Sequence, residues 1–416
     1  MNKYICVKEA FEYIYIGHGQ KKISLDELRD LQEYLEKTIP ANKNALDIKH
    51  NKFRFINYVG IISINNFTIE IIPKISLSND EKQDKKILLD MLSKCSDIEL
   101  SIDNSIDSNI EKCNLIELIA NKYLDSLIKE LNKGNFHDYI NKEENIKVVR
   151  GKIMFNKHIK KNNFKKGKIF CSYDEYSDDN LLNQTFKLAC IKILNKVQDI
   201  KLKNKTKKSL SILGNVSNES KSNEIINNIK LNNQNKRFSN VLQLAKFILL
   251  NLANENSSGS KNGFSMLFEM NDLFEKYIGK IVQMLCCKNN KKAITQDKRN
   301  YLLIDTKNNK KSFNLKPDIV IEDNNIPFMI IDTKWKAVEY NSKSSYQVSD
   351  IYQMYAYANA YKQVKKVILL YPSLGEEKEY PSWKLINDDN KFIEVKTVRL
   401  DSYKNTVNDL EKIIYD

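Results

Sequence analysis

The chain has 416 residues, enough for two or three domains that each bury a core. Hydrophobic residues at 42% argue against a disordered chain, and 67 Lys+Arg against 53 Asp+Glu leave a net charge of +14 that favours polyanionic partners. Seven cysteines without a C-x-x-C pair, and no apolar run of the roughly 18 to 20 residues a bilayer span requires, exclude a zinc cage, a disulfide framework and a membrane protein. A biased genome rich in Lys, Asn and Ile would give the same charge surplus, so charge alone does not choose a partner. Glu9 and Glu12 interrupt any signal-like start, and the expected location is a reducing cytoplasm.

In chain order, the first ~80 residues read as β-rich with one helix around Leu25–Leu35. Residues 53–75 alternate around Asn65-Asn66 as a hairpin, with Phe53, Phe55 and Tyr58 before the turn and Phe67, Ile69 and Ile71 after it. Apolar positions from Leu115 to Leu131 follow helical spacing up to Gly134. Residues 147–168 carry Lys147, Arg150, Lys152, Lys157, Lys160, Lys161, Lys165, Lys166 and Lys168 with no acid. That segment suits a phosphate backbone, a solvated face or a docking surface for an acidic partner. A helix over Leu181–Leu194 precedes a polar stretch to 236, and 254–263 has linker composition. Three domains follow: 1–110, β-rich; 111–255, mostly helical with the basic segment; 256–416, α/β. In the last, a helix over Ser265–Leu285 leads to strands near 301–305, 316–321 and 327–334. Helix 348–361, strands near 367–371 and 392–398 and a final helix from Thr406 complete a mixed sheet flanked by helices.

The chemistry concentrates in Leu315-Lys316-Pro317-Asp318-Ile319-Val320-Ile321 and Phe328-Met329-Ile330-Ile331-Asp332-Thr333-Lys334-Trp335-Lys336. Along a strand Asp332 and Lys334 share a face, and Asp318 on the preceding strand can converge on the same sheet end. Two carboxylates aimed at one point repel unless a cation sits between them, and hard oxygen ligands suit Mg²⁺ or Mn²⁺. Lys334 would orient or deprotonate water and offset phosphate charge during phosphodiester hydrolysis. The competing reading is a surface hairpin with Asp318 and Asp332 in turns. Against it, Asp332 follows an apolar run that reads as buried, where an acid needs a partner. Gln353 and Tyr357 share one helix face and either serve this site or belong to the helix surface and core. Glu275 offers a further metal carboxylate or pairs with nearby lysines on a solvated face. Trp335 and Lys336 offer contacts to DNA, although a tryptophan more often anchors a core edge. No histidine falls in the C-terminal domain and no phosphate-binding loop occurs, so any NTP motor must lie on another chain.

Pro317-Asp318, Asp332-Thr333-Lys334 and Gln353-x-x-x-Tyr357 resemble the PD-(D/E)xK nuclease superfamily, in its RecB-like branch. Ile71-Ile72-Pro73-Lys74, Arg150-Gly151-Lys152-Ile153-Met154-Phe155, the stretches 176–183 and 266–275, and Asp332-Thr333-Lys334-Trp335-Lys336 further resemble the McrC family, the nuclease subunit of McrBC modification-dependent restriction systems. That resemblance implies a Mg²⁺-dependent endodeoxyribonuclease acting on double-stranded methylcytosine-modified DNA. It implies a McrB-like AAA+ GTPase ring as partner, engaged and stimulated by the N-terminal part, with GTP on the ring and no nucleotide on this chain. It implies Asp318, Asp332, Lys334, Gln353 and Tyr357 as the catalytic set, Asp318, Asp332 and Glu275 as metal ligands, and Lys336 and Tyr357 as nucleic-acid contacts. A stand-alone RecB-like repair nuclease and a non-catalytic activator of a motor ring are the alternatives. The cysteines of an iron–sulfur RecB-like exonuclease are missing here beyond Cys286 and Cys287.

Overall fold

A computed structural model of the chain describes residues 3–19, 21–40, 43–65, 67–74, 81–96, 114–162, 167–218, 222–254, 263–336, 347–373 and 380–415. The chain divides into two compact units, one formed by Met1–Leu115 with Ala253–Asp416 and the other by Ile116–Leu252. The segments 1–110 and 256–416 were expected as successive domains; here they share one unit and the middle segment is an insertion between them. Most of the expected linker, residues 255–262, lies outside the described residues.

A five-stranded sheet joins the two ends, in the order Lys3–Lys8, Phe67–Ile72, Tyr58–Ile64, Gly263–Glu269, Ala253–Asn254. Its hairpin turns at Asn65, where φ is +48° and Ile64 faces Phe67. Residues 265–269, expected as the start of a helix, are therefore strand, and the helix runs Met270–Lys288. Phe264, Met266, Leu267 and Phe268 satisfy either period over so short a run, and the antiparallel ladder with Tyr58–Ile64 decides between them. Gly60 permits that ladder: its φ is +127°, and a Cβ there would lie 2.0 Å from the Met266 carbonyl oxygen. Gly60→Ala is expected to cost about 2–4 kcal/mol through strain and ladder separation, read as a lower urea midpoint. An unchanged midpoint would refute the close approach.

Beneath this sheet, Phe53, Phe55, Leu31, Ile62 and Phe67 share one core with the helix Leu25–Thr38, whose N-terminus is closed by a Ser24/Glu27 capping box. In the inserted unit, helices Leu115–Leu131, Leu181–Leu194, Ile200–Ile212 and Ser239–Asn251 accompany a small sheet of Asp138–Ile146, Ile169–Ser177 and Lys152–Ile153. Asn180 caps the helix Leu181–Leu194, and Asn180 and Asn183 both donate to the Phe136 carbonyl, at 2.9 and 2.8 Å. Gly151, at φ +59°, sits where a Cβ would meet the Ser172 carbonyl oxygen at 2.4 Å. These two contacts give the motifs around 150 and 180 a structural reason. Part of the basic segment is the largely exposed helix Phe155–Asn162, and Lys157 pairs with Glu143. None of the six described cysteines is in a disulfide, and no described helix is long and apolar enough to cross a membrane.

The α/β part is a six-stranded mixed sheet ordered Lys292–Thr295, Ile319–Asp323, Ile326–Thr333, Lys366–Pro372, Asp388–Val398, Ser382–Leu385. Ile319–Asp323 and Ile326–Thr333 form an antiparallel hairpin, and Ile326–Thr333 runs parallel to Lys366–Pro372. That parallel pair needs a crossover, which the helix Val348–Ala360 supplies, packing Met354, Tyr357 and Ala358 on Val320, Ile330, Val367 and Leu369.

Candidate active site

Asp332 lies near the end of one of the two central strands of the sheet and is 1% exposed. By strand alternation it shares a face with Ile330, the face covered by the helix Val348–Ala360. Its Oδ2 is buried in an ion pair with the Lys334 ammonium and has no other polar partner among the described residues. Lys334 also donates to Gln353 Oε1 at 3.2 Å, while Gln353 Nε2 donates to the Tyr357 hydroxyl at 2.8 Å. The Tyr357 hydroxyl in turn donates to the Lys316 carbonyl at 3.0 Å, two residues before Asp318. Asp318 Oδ2 accepts from both the backbone N–H and the hydroxyl of Thr333, each at 2.7 Å. One chain of contacts therefore links Asp332, Lys334, Gln353, Tyr357 and the 316–318 turn, with Thr333 tying Asp318 to the neighbouring strand.

The electrostatics follow from burial. Burial and then the Asp318 charge push the Asp332 carboxyl up to about 7. Burial also raises Asp318, against the two Thr333 hydrogen bonds that hold it down. Burial pushes the Lys334 ammonium down, but Asp332, Asp318 and Asp350 together carry it above the ordinary lysine value. Lys334 is therefore a persistent cation among these carboxylates. Glu275 is half-buried, accepts from Gln296 Nε2, and is raised by burial and by Asp318.

All three candidate oxygen ligands thus sit where negative charge is costly, and an Asp332 oxygen faces the Lys334 ammonium. A hard dication fits that donor set, with Asp318 and Asp332 as its first ligands. Among the described residues no three His, Cys, Asp or Glu side chains close into a ready-made cage. Two carboxylates, with water and substrate phosphate to complete the shell, are the pattern expected for Mg²⁺.

The remaining expected residues take other places. Tyr357 is 2% exposed and its hydroxyl is spent inside the protein, so it supports the site and offers no surface to phosphate. Lys336 donates to Gln347 at 2.8 Å and to Asp350 at 3.1 Å, which ties it to the start of the helix Val348–Ala360. Trp335, 2% exposed, packs on Phe274 with ring centroids 5.4 Å apart and donates Nε1–H to Glu9 Oε2 at 3.1 Å. Glu9, Thr333 and Asp350 escaped the sequence reading. Thr333 was legible from its place inside Asp-Thr-Lys; Glu9, 326 residues from Trp335, carried no local signal.

No curated protein matches the chain. In fold it is similar to a solved chain of the half-complex from a tetradecameric assembly of Thermococcus gammatolerans McrB AAA+ hexamers with bound McrC. That match has a TM-score of 0.71 at 17% identity and covers 99% of this chain and 100% of that one. A chain of the Thermococcus gammatolerans McrBC complex solved by cryo-EM is similar at TM-score 0.48 and 19% identity, over 67% of this chain and 87% of that one, too loose a likeness to bear on the fold. The profile of one family, described as McrBC 5-methylcytosine restriction system component, matches residues 53–372. With that much of its length matched, spanning both the N-terminal sheet and the acid-acid-lysine strands, the chain belongs to the McrBC 5-methylcytosine restriction system component family.

Proposed function

We propose that this chain is the McrC-type nuclease subunit of a modification-dependent restriction system, with a PD-(D/E)xK domain that hydrolyses phosphodiesters of double-stranded DNA. The observation that carries this reading is the convergence of Asp318, Asp332 and Lys334 at one sheet end, held from the crossover helix by Gln353 and Tyr357. Asp318 and Asp332 would hold Mg²⁺ or Mn²⁺, with Glu275 a further carboxylate in reach of their field. When bound, the dication supplies an activated water at neutral pH and charge stabilisation at the scissile phosphate. Lys334 remains protonated beside it and offsets the charge that develops on the phosphate oxygens. Gln353 orients that ammonium, and Tyr357 fixes Gln353 against the backbone that carries Asp318.

A McrB-like AAA+ GTPase is the partner that family membership and fold support, and it supplies the nucleotide chemistry for which this chain has no phosphate-binding loop. The test mixes the full chain with such a ring, GTP, Mg²⁺ and plasmid carrying or lacking 5-methylcytosine. Double-strand cuts confined to the modified plasmid and dependent on GTP are expected. Equal cutting by the chain alone would replace this reading with a stand-alone nuclease. No cutting, with GTP hydrolysis by the ring still stimulated, would replace it with a non-catalytic activator.

A further inference from the structure

Between Gln296 and Asp318 the chain leaves the six-stranded sheet and returns, and the two ends of the excursion are hydrogen-bonded, Gln296 N–H donating to the Asp318 carbonyl at 2.9 Å. The excursion is a two-stranded ribbon, Tyr301–Ile304 against Lys311–Asn314. Its root is rigid. Arg299 grips Asp297 with two nitrogens and reaches Glu322 at 2.6 Å, the Tyr361 hydroxyl donates to Asp297 at 3.1 Å, and Asn314 donates to the Lys298 carbonyl at 2.7 Å. Beyond the root, the ribbon is bare: Leu303 is 54%, Ile304 61% and Phe313 70% exposed. Phe313 also holds φ at +58°, a conformation that bulky side chains avoid, and it spends that strain on presenting its ring to solvent. In sequence, Lys298 and Lys316 stand at the root, Lys307 and Lys310 in the tip turn and Lys311 in the second strand, against Asp305, whose carboxylate is used to build the tip turn.

A two-stranded ribbon anchored at its root, with exposed apolar side chains and lysines at root and tip, fits a duplex groove with bases against the apolar face and phosphates at the lysines. Its root is the backbone of a candidate metal ligand, so whatever it grips is placed beside the reacting phosphate. We infer that the 297–316 ribbon is a DNA-groove reader that seats duplex DNA at the cleavage site, with Phe313 and Ile304, which the register places on one face, against the bases and Lys307, Lys310 and Lys311 on the phosphates. This rests on the nuclease reading above and adds a binding element outside the acid-acid-lysine set.

The experiment measures binding of a fluorescent 20-base-pair duplex, at several salt concentrations with Mg²⁺ present, to the full chain carrying Asp332→Asn so that nothing is cut. Adding Phe313→Ser is expected to weaken binding about tenfold. Adding Lys310→Gln with Lys311→Gln is expected to lower the slope of log affinity against log salt by about 2. Both positions are exposed, so melting temperature and mass by light scattering are expected to hold. Binding by Phe313→Ser within twofold of the parent, with an unaltered salt slope in the lysine variant, overturns the inference and leaves the nuclease reading intact. A fall in mass on Phe313→Ser also overturns it, assigning the ribbon to contact between copies of the chain. Failure of the parent to bind any duplex, together with absent cutting by the wild-type assembly, removes the nuclease reading itself.

Discussion

Asp332→Asn is expected to abolish DNA cutting, by roughly a thousandfold or more, and to make the metal-free protein more stable at pH 8. The two effects share one cause. In the unfolded chain an aspartate gives up its proton near pH 4, whereas in the fold burial and Asp318 hold the Asp332 proton to about 7. Between those values the folded state binds more protons than the unfolded one, so stability falls as pH rises from ~4 to ~7 and stays low above that window. Asparagine cannot ionise and escapes the fall. A rise in melting temperature of roughly 2–4 °C at pH 8, vanishing at pH 4, is the expected record. Mg²⁺ should raise the melting temperature of the wild-type protein and leave the variant unmoved, since a ligand stabilises only the state that binds it. Equal Mg²⁺ protection of both proteins would dissociate Asp332 from the metal. Retained cutting by a pure Asp332→Asn assembly would remove it from the chemistry.

The second large effect is expected far from that carboxylate in sequence. Glu9 is 1% exposed and its two oxygens are used by Trp335 Nε1–H at 3.1 Å and by the Asn57 backbone N–H at 2.9 Å. Lys74 Nζ lies 4.0 Å from the same carboxylate and 5.8 Å over the Trp335 ring; burial lowers this lysine and Glu9 partly restores it. Glu9→Ala strands two buried donors and a buried ammonium, a loss of about 3–5 kcal/mol. Glu9→Gln keeps an acceptor and should recover about half of that. Because Trp335 is bonded to Lys334, cutting by Glu9→Ala is expected to fall by about tenfold even at temperatures where the variant is fully folded, with a displacement of the ammonium as the cause. Urea melts and single-turnover cleavage measured together separate the two outcomes. Normal turnover in a destabilised Glu9→Ala protein would confine Glu9 to structure.

The site was legible because its signals are local. Asp332 ends an apolar run, Asp318 follows a proline, and Gln353 and Tyr357 stand one helical turn apart; each needs only strand or helix geometry to be placed. The hairpin at Asn65 was legible for the same reason. What escaped depends on distant partners. Residues 265–269 read as helix until Tyr58–Ile64 is known to lie beside them. Asp138–Ile146 is mostly polar and exposed on both faces, and Ile169–Ser177 buries the adjacent Phe170 and Cys171, so no alternation marks them. Lys311–Asn314 is equally polar, which hid the second half of the ribbon beside the site. Glu9 had no signal at all until the fold brought Trp335 to it.

The pairing of Tyr58–Ile64 with Gly263–Glu269 also sets a timetable for synthesis. The hairpin of Tyr58–Ile64 and Phe67–Ile72 leaves the ribosome early, with an open edge that stays unfilled until about two hundred further residues have been made. Ile116–Leu252 can finish folding during that wait, being a compact unit of its own. An apolar strand edge left open for so long is an aggregation risk. A truncation that ends after residue 252 should therefore be recovered largely as insoluble protein, whereas the full-length chain supplies the strand that closes its own edge.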